Sequence, residues 1–173
     1  LWNIVNLLTT LKYEGKSPQL EIALYEYGND GLSAEGNFIR MVTPFTSDLD
    51  LISEKLFSLK TNGGSEYCGA VIEKATSELL WKDGKDKMKL VYIAGNEPFN
   101  QGPIHFKEAL SKSLKKDIYV NTILCGGQSS VDVETWKEGA TAGQGKFFII
   151  DSDKDIQYIS TPYDKDINLY NER

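Results

Sequence analysis

Cysteine, histidine and proline are scarce in this 173-residue chain, which has two, one and five of them. Two cysteines, Cys68 and Cys125, are too few for a disulfide scaffold and lack the spacing of metal ligands. Two small buried thiols are the plain expectation, with a single bridge in an oxidising compartment as the alternative. The lone histidine, His105, has no serine or cysteine with a nucleophile signature near it in sequence. It falls where a helix should begin, which predicts a solvated side chain. No apolar run approaches the roughly 18 residues needed to span a bilayer. Positive charge is not in excess: the net charge is -6. A nucleic-acid partner is argued against, because phosphate backbones need a basic face, whereas cations or basic protein surfaces are compatible partners. Gly126-Gly127 is not followed by the lysine of a phosphate-binding GxxxxGK[ST] loop. A starting methionine is missing too, so the natural start is expected upstream of Leu1.

What is present is organised around Lys89 to Gly102. Leu90–Ala94 is a short apolar run, rich in β-branched and aromatic residues, and it stops at Gly95-Asn96-Glu97-Pro98. That pattern predicts a strand buried on both faces, in the middle of a parallel sheet. In open α/β sheets, ligands sit beyond the carboxyl ends of such strands, which makes Asn96 and Glu97 candidate site residues.

The other elements follow in order. Leu1, Ile4, Val5, Leu8 and Leu11 predict an amphipathic helix, ended by Gly15 and Pro18. Leu20–Tyr27 and Phe38–Val42 read as strands, too close for a helical crossover and therefore antiparallel. Ser47 with Asp50 resembles a capping box before a helix whose apolar face holds Leu51, Ile52, Leu56 and Leu59. The loop Thr61–Ser65 feeds a long helix from Glu66 to Trp81. Pro103 is placed to open the next helix. A strand at Ile118–Leu124, a helix at Val131–Ala142 and a strand at Phe147–Ile150 complete the alternation. Ser152 with Asp155, and Thr161-Pro162, look like further helix starts. The expectation is one domain over 1–173, with 152–173 as a C-terminal helical extension. The fold class is α/β: a doubly wound, mostly parallel sheet with one antiparallel edge strand and helices on both faces.

Two loops carry a resemblance. Asn62-Gly63-Gly64-Ser65-Glu66-Tyr67-Cys68-Gly69 and Ile93-Ala94-Gly95-Asn96-Glu97-Pro98-Phe99, together with the element order, resemble a von Willebrand factor A (vWA) domain of the bacterial envelope type. The resemblance runs from Leu1 to about Asp151. It implies a Rossmann-like fold whose first central strand, ending in an Asp-x-Ser-x-Ser loop, lies upstream of residue 1. It implies a divalent cation, usually magnesium, at the carboxyl edge of the sheet, completed by a carboxylate from a protein partner. Oxygen ligands and retained waters suit that ion. Ser65 matches the second-loop Thr or Ser ligand. The third-loop Asp falls on Gly95, which has no side chain, so Asn96 or Glu97 would take its place, or water would be the third ligand. An extracytoplasmic location goes with the same resemblance.

Each candidate also has a plain reading. Ser65 could be an ordinary helix cap. Glu66, in the first turn, could simply complement the helix dipole instead of joining a metal site. Asn96 and Glu97 could form a turn stiffened by Pro98. Tyr25, Tyr27, Tyr92 and Phe99 read as core or rim and not as a cofactor stack. The resulting expectation is a protein-binding module whose crevice is formed by the loops around Ser65 and Asn96–Glu97, with or without a divalent cation held by Ser65, Glu66, Asn96 and Glu97. The alternatives are a structural vWA domain without metal, and an enzyme on a similar sheet.

Overall fold

The computed structural model describes residues 10, 18–60, 62–126 and 132–150. The expected first helix (Thr10 aside), the loop after Gly126 and the extension 152–173 lie outside the described residues.

Strands β1 (Ile22–Tyr27) and β2 (Ile39–Thr46) pair antiparallel, as their short connection requires. A brief 3-10 turn at Ala34–Gly36 lies between them. β2 runs on through Pro44, four residues beyond the end expected from sequence at Val42. A proline is tolerated there because β2 is an outer strand and the register slips between the Leu24–Thr43 and Ile22–Thr46 pairs. Cross-strand partners Glu26 and Arg40 form an ion pair. The Glu26 carboxylate is 7% exposed and also accepts from Asn29 Nδ2 at 2.6 Å.

Helix α1 spans Leu49–Ser58 and is capped by Asp48, whose carboxylate accepts from the Leu51 amide at 2.9 Å. The Ser47–Asp50 box does not form, because a carboxylate one residue later reaches the same turn of free N–H groups. α2 spans Cys68–Glu78, and its cap position is Tyr67, without a side-chain cap bond. The helix therefore starts later than the expected Glu66, and neither Ser65 nor Glu66 lies inside it. α3 (Phe106–Leu114) is capped by the exposed His105, whose Nδ1 accepts from the Lys107 amide. Pro103 precedes the helix instead of opening it.

Strands β3 (Lys89–Gly95), β4 (Ile118–Cys125) and β5 (Gln144–Ile150) form a parallel sheet in that order, with α4 (Val133–Ala142) between the last two in sequence. The middle strand is β4, not β3. Val120, Ile123 and Leu124 are fully enclosed, whereas Leu90, Val91, Tyr92 and Ala94 of β3 are only half-buried. The reason is pairing: among the described residues the two sheets stay separate, and β3 has β4 on one side only. Phe99, Phe106, Leu110, Trp136 and Ile72 share one core cluster with β3 and β4 residues, so α2, α3 and α4 bury their apolar faces together. Ile52 of α1 is buried against the hairpin, outside that cluster. Both cysteines are free: Cys68 is enclosed and Cys125 half-buried.

Candidate functional site at the carboxyl edge

Three loops converge where β1 and β3 end and α2 begins. The turn after β1 is tied to the second loop by the Asp30 amide, which donates to Gly63 O at 3.1 Å, and by Asn29 Nδ2, which donates to Lys60 O at 3.1 Å. The third loop, after β3, is anchored from below. Phe99 is 0% exposed and sits edge-on to Phe106 and Trp136. Trp136 Nε1 donates to Glu97 O at 2.8 Å, and Gln101 Nε2 donates to a Glu97 carboxylate oxygen at 2.7 Å.

Glu66 joins the second loop to the third. Because α2 starts at Cys68, Glu66 is free to turn away from the helix axis, and its Oε2 accepts from the Asn96 and Glu97 amides at 3.1 and 3.4 Å. Two glycines make room for it. A Cβ on Gly95 would stand 2.1 Å from Glu66 Oε2, and one on Gly28 would stand 2.7 Å from Glu66 Cγ. No real atom tolerates either approach. Gly28 also has φ +71, a conformation that side chains rarely adopt. The Tyr27 hydroxyl completes the link between the strands, donating to Ala94 O at 2.7 Å, with Cys68 Sγ 3.9 Å away.

Burial raises the Glu66 carboxyl above the usual carboxylate range, the Asn96 and Glu97 amides pull it back, and the Glu97 charge adds to the rise. Burial also pushes the Tyr27 hydroxyl well up, which keeps it a donor. The Cys68 thiol is pushed up to about 12, mainly by burial. That is the opposite of an activated nucleophile.

Of the residues expected at the site, the structure brings Glu66 against Asn96 and Glu97. Ser65 precedes Glu66 in the second loop and does not cap α2. Glu66 does not complement the helix from its first turn, as the plain reading had it. Sequence reasoning missed Tyr27 and Gly28. A signal was available: a glycine follows β1 and another ends β3, which is what a side chain crossing between two strand ends requires.

The fold is that of a von Willebrand factor A domain. The VWA domain of SpRpn10 superposes with a TM-score of 0.54 at 13% identity, covering 79% of this chain and 67% of that one. The conserved hypothetical protein BatB from Bacteroides thetaiotaomicron gives 0.59 at 16% identity, over 98% of this chain and 83% of that one. Proximal thread matrix protein 1 from the mussel byssus, with a zinc-occupied MIDAS motif, gives 0.58 at 14% identity, over 86% and 37% of the two chains. No protein-family model matches the chain, and no curated protein does.

The loops' resemblance implies a metal at this edge, but among the described residues the carboxylates there are already engaged with other partners. Glu66 Oε2 already serves two amides and a Glu97 oxygen serves Gln101. Position 95 has no carboxylate, and a side chain there would collide with Glu66. Among the described residues no group of three His, Cys, Asp or Glu side chains is placed to share an ion.

Proposed function

We propose that this chain is a protein-interaction module that engages its partner at the carboxyl edge of the sheet, at the loops around Ser65 and Asn96–Glu97. The observation that carries the reading is the meeting of three loops there, joined by Glu66 on the Asn96 and Glu97 amides. Asn96 is exposed while its loop is anchored by the enclosed Phe99, so the edge presents a polar surface on a rigid base. An enzymatic reading lacks its chemistry at this edge: the nearby thiol is held protonated, and His105 is spent on capping α3. Among the described residues no helix is long and apolar enough to cross a membrane. The loops' resemblance to envelope-type vWA domains supports a location outside the cytoplasm.

A second reading keeps a divalent cation, magnesium or another, at the same edge. It is favoured by the zinc-occupied MIDAS motif of the byssus protein. Magnesium titration followed by amide chemical shifts separates the two: selective shifts at Ser65, Asn96 and Glu97 support the cation, and their absence supports the metal-free module.

The binding face is tested by site-specific photo-cross-linking in cells that make the protein. A cross-linker at Asn96 yields protein adducts that diminish in a Ser65→Ala, Glu97→Ala background. One at Asp86, exposed in the loop that leads into β3, yields none. Adducts from Asp86 but not from Asn96 refute the assignment.

A further inference from the structure

The carboxyl edge raises a mechanical question. Three loops from different parts of the chain meet there, β1 and β3 share no backbone ladder among the described residues, and the described donors do not enclose an ion that could tie the loops together. Something else must hold the third loop against the second. Each candidate contact can be weighed. The Tyr27 hydroxyl reaches Ala94 O, which fixes β1 to β3 but stops one residue short of the loop. Phe99 and Trp136 fix the loop to the core beneath it, through the far end of the segment. Among the described residues, only Glu66 touches the loop's leading amides and belongs to the second loop. Its side chain runs between Gly28 and Gly95, at positions where any larger residue would expel it.

We propose that Glu66 is the positioning residue of this edge: its carboxylate, threaded between Gly28 after β1 and Gly95 at the end of β3, holds the Asn96–Gln101 loop in the arrangement that meets a partner, and does so without a cation. The absence of a side chain at position 95 is then part of the device, since the space belongs to Glu66. An amide pair at a strand end is an anion seat, and this chain fills it from within.

The inference rests on the carboxyl edge being the binding face, but its test does not use a partner. Amide hydrogen exchange is followed by NMR in the parent, Glu66→Ala, Glu66→Gln and Gly95→Ala, each with and without EDTA. In Glu66→Ala, exchange at Asn96 and Glu97 rises about tenfold while Val120 and Leu124 of β4 keep their protection. Glu66→Gln, which retains an oxygen in the same place, restores most of it. Gly95→Ala raises exchange at the same two amides with Glu66 present, and the Gly95→Ala, Glu66→Ala pair is no worse than either alone. EDTA leaves the parent unchanged. Unaltered exchange in Glu66→Ala overturns the proposal. An equal rise at Val120 and Leu124 overturns it too, since Glu66 would then be a general stabiliser. An EDTA-dependent loosening of the parent does so as well, since an ion would then be doing the holding. If cross-linking at Asn96 fails while these exchange results hold, the binding face is lost and the anchor stands.

Discussion

Replacing Phe99 by alanine should cost this domain a large part of its stability. The ring is 0% exposed and is held edge-on at 5.3 Å from Phe106 and 4.9 Å from Trp136. Its remaining side faces the backbone of α4, where a Cβ on Gly139 would stand 2.5 Å from the ring. A cavity walled by two aromatic rings and a helix backbone cannot close by small shifts. The expected loss therefore sits at the upper part of the usual Phe→Ala range of about 3–5 kcal/mol. The two edge-to-face contacts, at about 0.5–1.5 kcal/mol each, point the same way and are already within that figure. Against a total stability of about 5–15 kcal/mol, the variant should be marginal. Urea unfolding followed by far-UV circular dichroism gives the test. With an m-value near about 2 kcal/mol/M, the midpoint falls by about 2 M. A fall below about 0.5 M would mean that the site collapses freely, and the argument that Phe99 anchors the third loop would go with it.

Other expectations follow from the same contacts. Gly139→Ala drives a methyl into the Phe99 ring and costs about 1–3 kcal/mol, and pairing it with Phe99→Leu recovers part of that loss, read from thermal midpoints as a non-additive cycle. Arg40→Ala leaves the Glu26 carboxylate, 7% exposed, with Asn29 alone and destabilises by about 1–3 kcal/mol; full stability in denaturant titration would show that the pair contributes nothing. The Cys68 thiol is raised from its ordinary 9.0 to about 12, so iodoacetamide at about pH 8 should label Cys125 well before Cys68, as read by mass spectrometry. The folded state keeps that proton more tightly than the unfolded chain does. The contribution is therefore intact below 9.0 and is lost as pH rises toward about 12, and Cys68→Ala should flatten that alkaline loss.

Strand and helix identities were legible wherever a period was strong. Ile118–Leu124, with its β-branched run, and Leu51, Ile52 and Leu56 at helical spacing, describe β4 and α1 correctly because burial enforces those periods. Caps were less legible. Ser47, Asp48 and Asp50 all carry oxygens near one helix start, and only geometry selects Asp48. Among the described residues the middle strand of the parallel sheet is β4; the apolar run of β3 does not reveal how many neighbours a strand has. At the site, the positions of Asn96 and Glu97 followed from the strand end, but the path of Glu66 did not. A side chain that crosses from one loop to another leaves no periodic trace, and only the paired glycines, Gly28 and Gly95, mark it.

Among the described residues, the separation of the two sheets shapes how they come apart. A continuous ladder makes neighbouring strands open together, whereas β1 and β2 are coupled to β3 through the Tyr27 hydroxyl, the Glu66 carboxylate and packing against α2. Side-chain links of this kind break independently of the ladders on either side. The hairpin with α1 and the β3–β4–β5 layer with α3 and α4 should therefore behave as two cooperative units with their own opening free energies. The hairpin, with half-buried strands, opens at the lower denaturant concentration, and the carboxyl-edge loops lie on the seam between the units.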